Sequence, residues 1–444
     1  MKIVFDLQCL QGSSRYRGIG RYSLELTKAF IRQAPQHEIY LLLNNQDLDG
    51  LEFAYNEFNS LIPKDRIKLL TLPDKIADTC YHNTWRIQAT ETLVEAYLAN
   101  LAPDIVYILS LFEGLNNRTI TSCNHLMTPY LKVITLYDLI PFIYSDFYLS
   151  KIRNKHFFLR KFQQLRKADL LISISEASAK EAIELFSLEK DKIINGSVGL
   201  DEKFITYRPE KNKFKAISLK YNINKKFIFY LGGNDFRKNI LNLIKAFVAS
   251  PSLWNQYQLL IITAKKSIFL DEAAAQLIKP TPLSFNDILL FDRVEEEALL
   301  TFYAHCSLFV FPSLHEGFGL PIIEAMACGA PVIGSNVSSI PEAINCAEAL
   351  FDPHDPKSIA QKMVQAVEND SFNLFLRNHS RVQHKKFCWI DSAQKVLHAL
   401  EDLYQKKIKK HKINLNYLFI KKELLIFRLF LQKKVASLII VLNS

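Results

Sequence analysis

Short apolar runs alternate with longer stretches of mixed character along most of the chain. The opening KIVFDL and residues 39–43, 104–109, 132–136 and 170–174 have the length of strands buried on both faces. Between them, apolar positions recur with helical spacing, as Leu24, Leu26, Ala29 and Phe30 do. Alternation of this kind predicts a parallel sheet clothed in helices. A polar, lysine-rich stretch from about 196 to 226 shows no clear buried strand, and the pattern resumes at FIFYL, 258–263, 288–291, 308–311 and 331–333. The reading is α/β: two Rossmann-like, doubly wound domains facing a central cleft. Their expected bounds are 1–200 and 223–388, joined by a linker at 201–222. A terminal helix at 389–405 is expected to return to the N-terminal domain, and a helical tail follows at 406–444.

Two stretches interrupt the pattern with residues that carry chemistry. In SLHEGFGLPIIEAMACGAPVIGSNVSSIP (313–341), Pro312, Gly317 and Gly319 break a strand into a tight loop, and a helix is expected from near Pro321 until Gly329 stops it. Glu316 then lies in the loop and Glu324 in the first helical turn. The N–H groups of such a turn suit an anion. Two carboxylates beside a phosphate would repel it unless they address hydroxyls, and a sugar nucleotide offers both groups. In GGNDFRKN (232–239), Arg237 and Lys238 follow a strand directly, which reads as a diphosphate clamp. Asp138, after the 132–136 run, falls at a strand's carboxyl end, where open α/β sheets bind ligands.

Composition narrows the function. Of 444 residues, 49% are hydrophobic and 12% aromatic, enough for large cores. Seven scattered cysteines without a C-x-x-C pair argue for a reducing compartment and against a zinc or redox site. No signal segment is expected, nor any apolar run long enough to span a bilayer. The net charge is +10, and the 406–444 tail alone holds ten Lys and Arg against Glu423, so the body is nearly neutral. This distribution argues against nucleic acid bound across the fold and for an anionic surface at the tail. Tyr417, Ile420, Leu424, Phe427, Leu431, Val435, Leu438 and Leu442 form one helical stripe there. An interfacial helix on anionic lipid is expected, with packing on protein as the alternative.

Other motifs are weaker. RGIGRYS lacks the third small residue of a dinucleotide fingerprint, where Ser23 stands, and the second strand ends on Asn44 and Asn45 rather than an acid. Asp47, Leu48 and Asp49 resemble a metal-holding triplet but sit in polar sequence, so a solvated turn is expected and no metal site. Residues 146–167 mix cations with Phe157, Phe158 and Phe162, read as an amphipathic helix.

Taken together, HEGFGLPIIE, GGNDFRKN, RGIGRYS and SEAS (175–178) resemble the retaining glycosyltransferases of family four, with the GT-B fold, over a span reaching about Trp389. The resemblance implies that Glu316, with the backbone of Gly317, Phe318, Gly319 and Leu320, holds the donor sugar, and that Glu324 holds the ribose. It also implies that Arg237 and Lys238 neutralise the diphosphate, with Gly18, Gly20 and Gly233 beside it and Val294 by the base. Glu316, Arg237, Lys238 and Asp138 are the implied catalytic set. Tyr137 stands where many relatives have histidine. The implied reaction is metal-independent transfer of a hexose, mannose from GDP-mannose, onto a lipid-linked or growing surface glycan. No cofactor is implied beyond the nucleotide sugar, and the implied place is cytoplasmic, on the inner face of the plasma membrane. A UDP-sugar donor, or a non-catalytic nucleotide-sugar-binding scaffold, are the alternatives.

Overall fold

Ile3, Val4 and Phe5 are wholly buried, because their strand, β1 (Lys2–Asp6), pairs in parallel with a neighbour on each side. A continuous apolar run is what such a position requires. The computed structural model describes residues 1–79, 83–123, 126–263, 268–279 and 281–409. Around β1 the first sheet holds β2 (Glu38–Asn44), β3 (Ile67–Leu70), β4 (Ile105–Ile108), β5 (Leu131–Leu136), β6 (Leu170–Ser173) and β7 (Ile193–Asn195), in the order β3-β2-β1-β4-β5-β6-β7. The second sheet repeats the plan. Its strands are β8 (Lys226–Gly232), β9 (Tyr257–Thr263), β10 (Ile288–Phe291), β11 (Leu308–Phe311), β12 (Val332–Ser335) and β13 (Leu350–Phe351), in the order β10-β9-β8-β11-β12-β13. Every pairing described is parallel.

Both sheets reverse their winding beside the first strand, between β1 and β4 and between β8 and β11. Crevices open there at the strands' carboxyl ends. This is the expected pair of doubly wound sheets. Edge strands β3 and β7 were not legible as apolar runs, since most of their side chains are only half buried.

Three local expectations are corrected. RGIGRYS reads as two glycines ahead of a helix, whereas that helix is Gly18–Gln33, so Gly18 and Gly20 lie inside its first turn. Asp47 is no open turn: its carboxylate accepts the Gly50 N–H at 3.0 Å and caps helix Leu48–Phe58. Helix Leu320–Ala327 starts one residue early, which puts Glu324 in its second turn.

The stretch 201–222 carries two helices, Glu202–Thr206 and Lys211–Lys220. Lys213 and Lys220 pair with Glu297 and Glu295 at 3.1 and 2.7 Å, which ties the longer helix to the second domain. Residues 389–409 are helical, and Trp389 packs edge-on against Tyr22 of the first domain at 5.6 Å. Residues Met1–Val396 form one compact unit and Leu397–Ser444 another. Of the second, only 397–409 are described, as helix, so the expected membrane-binding stripe lies outside the described residues. Among the described residues no helix is long and apolar enough to cross a membrane.

Candidate active site

The site assembles where loops leave the carboxyl ends of β5, β8 and β11. After β8, Asp235 caps a short 3-10 turn, Phe236–Lys238, by accepting the Arg237 N–H at 3.1 Å. That turn delivers two adjacent cations to the crevice. After β11, the 312–319 loop brings Glu316 to them: its carboxylate meets the Lys238 Nζ at 2.6 Å and the Arg237 Nη1 at 3.2 Å. Arg237 also donates to the His315 carbonyl at 2.8 Å. Burial alone would raise the pKa of Glu316, but Lys238 and Arg237 outweigh it and hold the carboxyl below its usual value. Burial lowers the Lys238 ammonium, and Glu316 offsets this in part.

From the first domain comes Asp138, after β5. Its carboxylate accepts the Ile140 N–H at 3.0 Å. Burial pushes its pKa up, and Arg237 opposes that shift. A β-carbon at Gly317 would lie 2.6 Å from the Tyr137 carbonyl and 3.3 Å from the Asp138 Oδ2, so only glycine lets the two loops touch. Gly319 has φ +101°, a left-handed conformation that again favours glycine. Ser175 and Ser178 of the SEAS stretch donate to the Gly317 carbonyl at 2.7 and 3.2 Å. Two hydroxyls of the first domain thereby grip the loop of the second.

Glu324 is 2% exposed and already partnered. One oxygen pairs with Arg21, and the other accepts the Tyr303 hydroxyl at 2.9 Å. Arg21 carries no glycine or acid signature, though its place in RGIGRYS marks it as a cation in a first helical turn. The buried Tyr303 gave no sequence signal. Tyr137 turns inward, bonding Ser23 at 2.9 Å and the Ile19 carbonyl at 3.2 Å.

The remaining expected residues spread around this centre. A β-carbon at Gly18 would lie 3.6 Å from the Leu320 side chain, whereas the space beside Gly20 is filled by the backbone of Ser14 and Arg15. Gly233 lies between β8 and the cation turn, and Phe318 packs edge-on against Phe387 at 5.3 Å. Val294 is half buried in the loop after β10, next to Arg293, which lies over the Tyr16 ring at 5.3 Å. A cavity of about 370 Å³ opens apart from the Glu316 cluster, in the first domain, between Gln11, Arg15, Tyr16, Asn44, Asp47 and Arg118.

Residues 211–383 match the family described as glycosyl transferases group 1. Serotype-specific mannosyltransferase WbdA of Escherichia coli is 31% identical over 409 residues, covering 91% of this chain. The second domain of this chain is a group 1 glycosyl transferase domain. The chain spans 48% of WbdA, about half that relative's length. O-antigen chain mannosyltransferase B of Escherichia coli is 26% identical and is matched over 99% of its length, with 90% of this chain. Among solved structures, sucrose-phosphate synthase from Thermosynechococcus elongatus superposes with a TM-score of 0.67 at 19% identity, covering 91% of this chain and all of that one. The group 1 match takes in Arg237, Lys238, Glu316 and Glu324 together. Its fold is the GT-B pair of Rossmann-like domains.

Proposed function

We propose that this chain is a group 1 glycosyl transferase that moves mannose from GDP-mannose onto a growing, lipid-linked surface glycan, with retention of configuration and without a metal. The observation that carries the reading is the convergence of Arg237 and Lys238 on the Glu316 carboxylate, 3.2 and 2.6 Å away, opposite Asp138. Breaking a glycosyl–phosphate bond builds negative charge on the departing diphosphate, and fixed cations aimed at that charge are the largest catalytic contribution a protein can make. An arriving diphosphate competes with Glu316 for both cations. The carboxylate so released is then free to accept from sugar hydroxyls, which gives the acid and the cations separate tasks on one substrate.

For retention, the bond from the sugar carbon to the phosphate oxygen breaks, the departing phosphate oxygen takes the proton of the acceptor hydroxyl, and the acceptor oxygen bonds the sugar carbon on the face the phosphate leaves. Asp138 and Glu316 hold the sugar, while Arg237 and Lys238 hold the leaving group. The mannosyl donor rests on the likeness to the two mannosyltransferases. The acceptor is assigned to the first domain, whose cavity combines amides, Tyr16 and two arginines. The basic 406–444 segment would keep the enzyme at the cytoplasmic face of the membrane.

Calorimetry with GDP-mannose beside UDP-sugars tests the donor, and NMR of the product anomer tests retention. Binding of GDP-mannose and turnover that persists in EDTA are expected. Binding of UDP-sugars alone would replace the donor, and inversion or chelator-sensitive turnover would overturn the mechanism.

A further inference from the structure

The cation turn of the second domain is gripped by residues of the first that no motif marks. Helix Ser145–Tyr148 follows Asp138 by a few residues and lies against the 235–238 turn. Phe147 packs on Phe236 with ring centroids 4.5 Å apart, and Tyr144 meets the edges of Phe236 at 5.4 Å and His315 at 5.8 Å. Within this aromatic contact, the Tyr148 hydroxyl donates to the Asp235 Oδ2 at 2.5 Å and accepts from the Arg237 Nε at 3.3 Å. A hydroxyl can do both at once, so one oxygen ties the carboxylate that caps the turn to the guanidinium the turn presents.

The consequence is orientation. Arg237 is held at Nε by Tyr148 and at Nη1 by His315 and Glu316. A planar guanidinium fixed at two nitrogens has no rotational freedom left, and its second terminal nitrogen, Nη2, is presented in one direction. Burial and the bond to Asp235 both raise the Tyr148 pKa, so the group stays a neutral phenol able to donate.

We propose that Tyr148 is a positioning residue for the leaving-group site: supplied across the cleft, it aims Arg237 at the donor's diphosphate, so that this site is complete only when the two domains meet. The proposal rests on the reading of Arg237 as a diphosphate ligand. Other side chains at the contact act through packing, and Tyr148→Phe keeps their packing while deleting both hydrogen bonds.

The test is binding of GDP and UDP to the full chain by calorimetry, for wild type, Tyr148→Phe, Arg237→Ala and the double variant, with thermal unfolding of each. Tyr148→Phe should weaken binding of the cognate diphosphate about 10- to 100-fold, the range for losing a hydrogen bond to a charged group. In the Arg237→Ala background the same change should weaken it less than twofold, because its target is gone. A packing role would instead cost the same in both backgrounds, and that additivity overturns the proposal, as does unchanged binding in Tyr148→Phe beside a loss in Arg237→Ala. Unchanged binding in Arg237→Ala would instead sink the diphosphate reading itself. Asp235→Asn, which retains a capping side chain, weakens the same hydroxyl contact from its other side. It should reproduce the non-additivity should the tyrosine variant fail to fold.

Discussion

Each domain buries a glutamate between a lysine and an arginine, and the surroundings of the two clusters differ. In the first domain, Glu91 of helix Thr84–Asn100 pairs with Lys161 at 3.0 Å and with Arg160, both on helix Ile152–Leu165. The Glu91 side chain is 0% exposed and that of Lys161 2%. Lys161 also donates to the Thr121 carbonyl, and Gln164 donates to the second oxygen of Glu91 at 3.3 Å. In the second domain, Glu316, Arg237 and Lys238 keep 9%, 18% and 15% of their side-chain surface exposed. They stand on loops at strand ends rather than on packed helices. Burial and pairing alone therefore do not mark a site: the first cluster joins two helices, and the second holds charges where a ligand can exchange with them.

The largest expected effect is on the helix-joining cluster. Lys161→Met leaves Glu91 buried with an incomplete partner set, which costs about 3–5 kcal/mol when a buried pair is broken. Urea unfolding should show that loss while turnover per folded molecule stays near wild type. Next comes Lys238→Met, expected to lower kcat about 10²- to 10³-fold, the cost of removing one group aimed at developing charge. Its unfolding midpoint should shift little, since the loop cluster is partly solvated. If the two variants exchange phenotypes, the contrast between the clusters is wrong.

The sequence could reveal one of these clusters and not the other for a physical reason. Arg237 and Lys238 are adjacent, follow a glycine pair after an apolar run, and so announce a strand end. Glu316 stands in a glycine-broken loop with the same meaning. Lys161, by contrast, reads as the polar face of an amphipathic helix, because its partner lies 70 residues away on another helix. The same limit hid Arg21, Tyr148 and Tyr303, whose roles come from partners 303, 87 and 21 residues distant. The inner strands were legible as segments because buried parallel strands are continuously apolar. Half-buried β3 and β7 carried no such run.

Glu324 is the case between the two clusters, almost as buried as Glu91 yet in the helix that follows the 312–319 loop. Tyr303→Phe removes the 2.9 Å bond to one of its oxygens. Loss of a hydrogen bond to a charged group is worth roughly 1.5–3 kcal/mol, or about ten- to hundredfold. If Glu324 holds the donor, that loss should show as a raised donor KM with kcat nearly unchanged. A fall in stability of the same size with KM unaltered would place Glu324 with Glu91, as a group that serves the fold.

The smallest expected effect, read per pH unit, separates burial from pairing. Asp6 at the end of β1 is buried with hydrogen bonds from Gln8, and burial, opposed by those bonds, pushes its pKa up to about 7 from 3.8. Glu316 is also buried, though less deeply, and its two cations reverse the sign. Between pH 3.8 and about 7, folded Asp6 binds more proton than the unfolded chain does, so its contribution to stability falls as pH rises, by up to about 1.4 kcal/mol per unit. Glu316 acts oppositely: its stabilisation is present above pH 4.5 and is lost as pH falls through its depressed folded value. Stability measured from pH 3 to pH 8 should therefore show Asp6→Asn gaining on wild type as pH rises toward about 7. The deficit of Glu316→Gln should shrink as pH falls below 4.5. Parallel curves for both variants would mean that neither carboxyl titrates as its surroundings dictate, and that the cations beside Glu316 do not govern its charge.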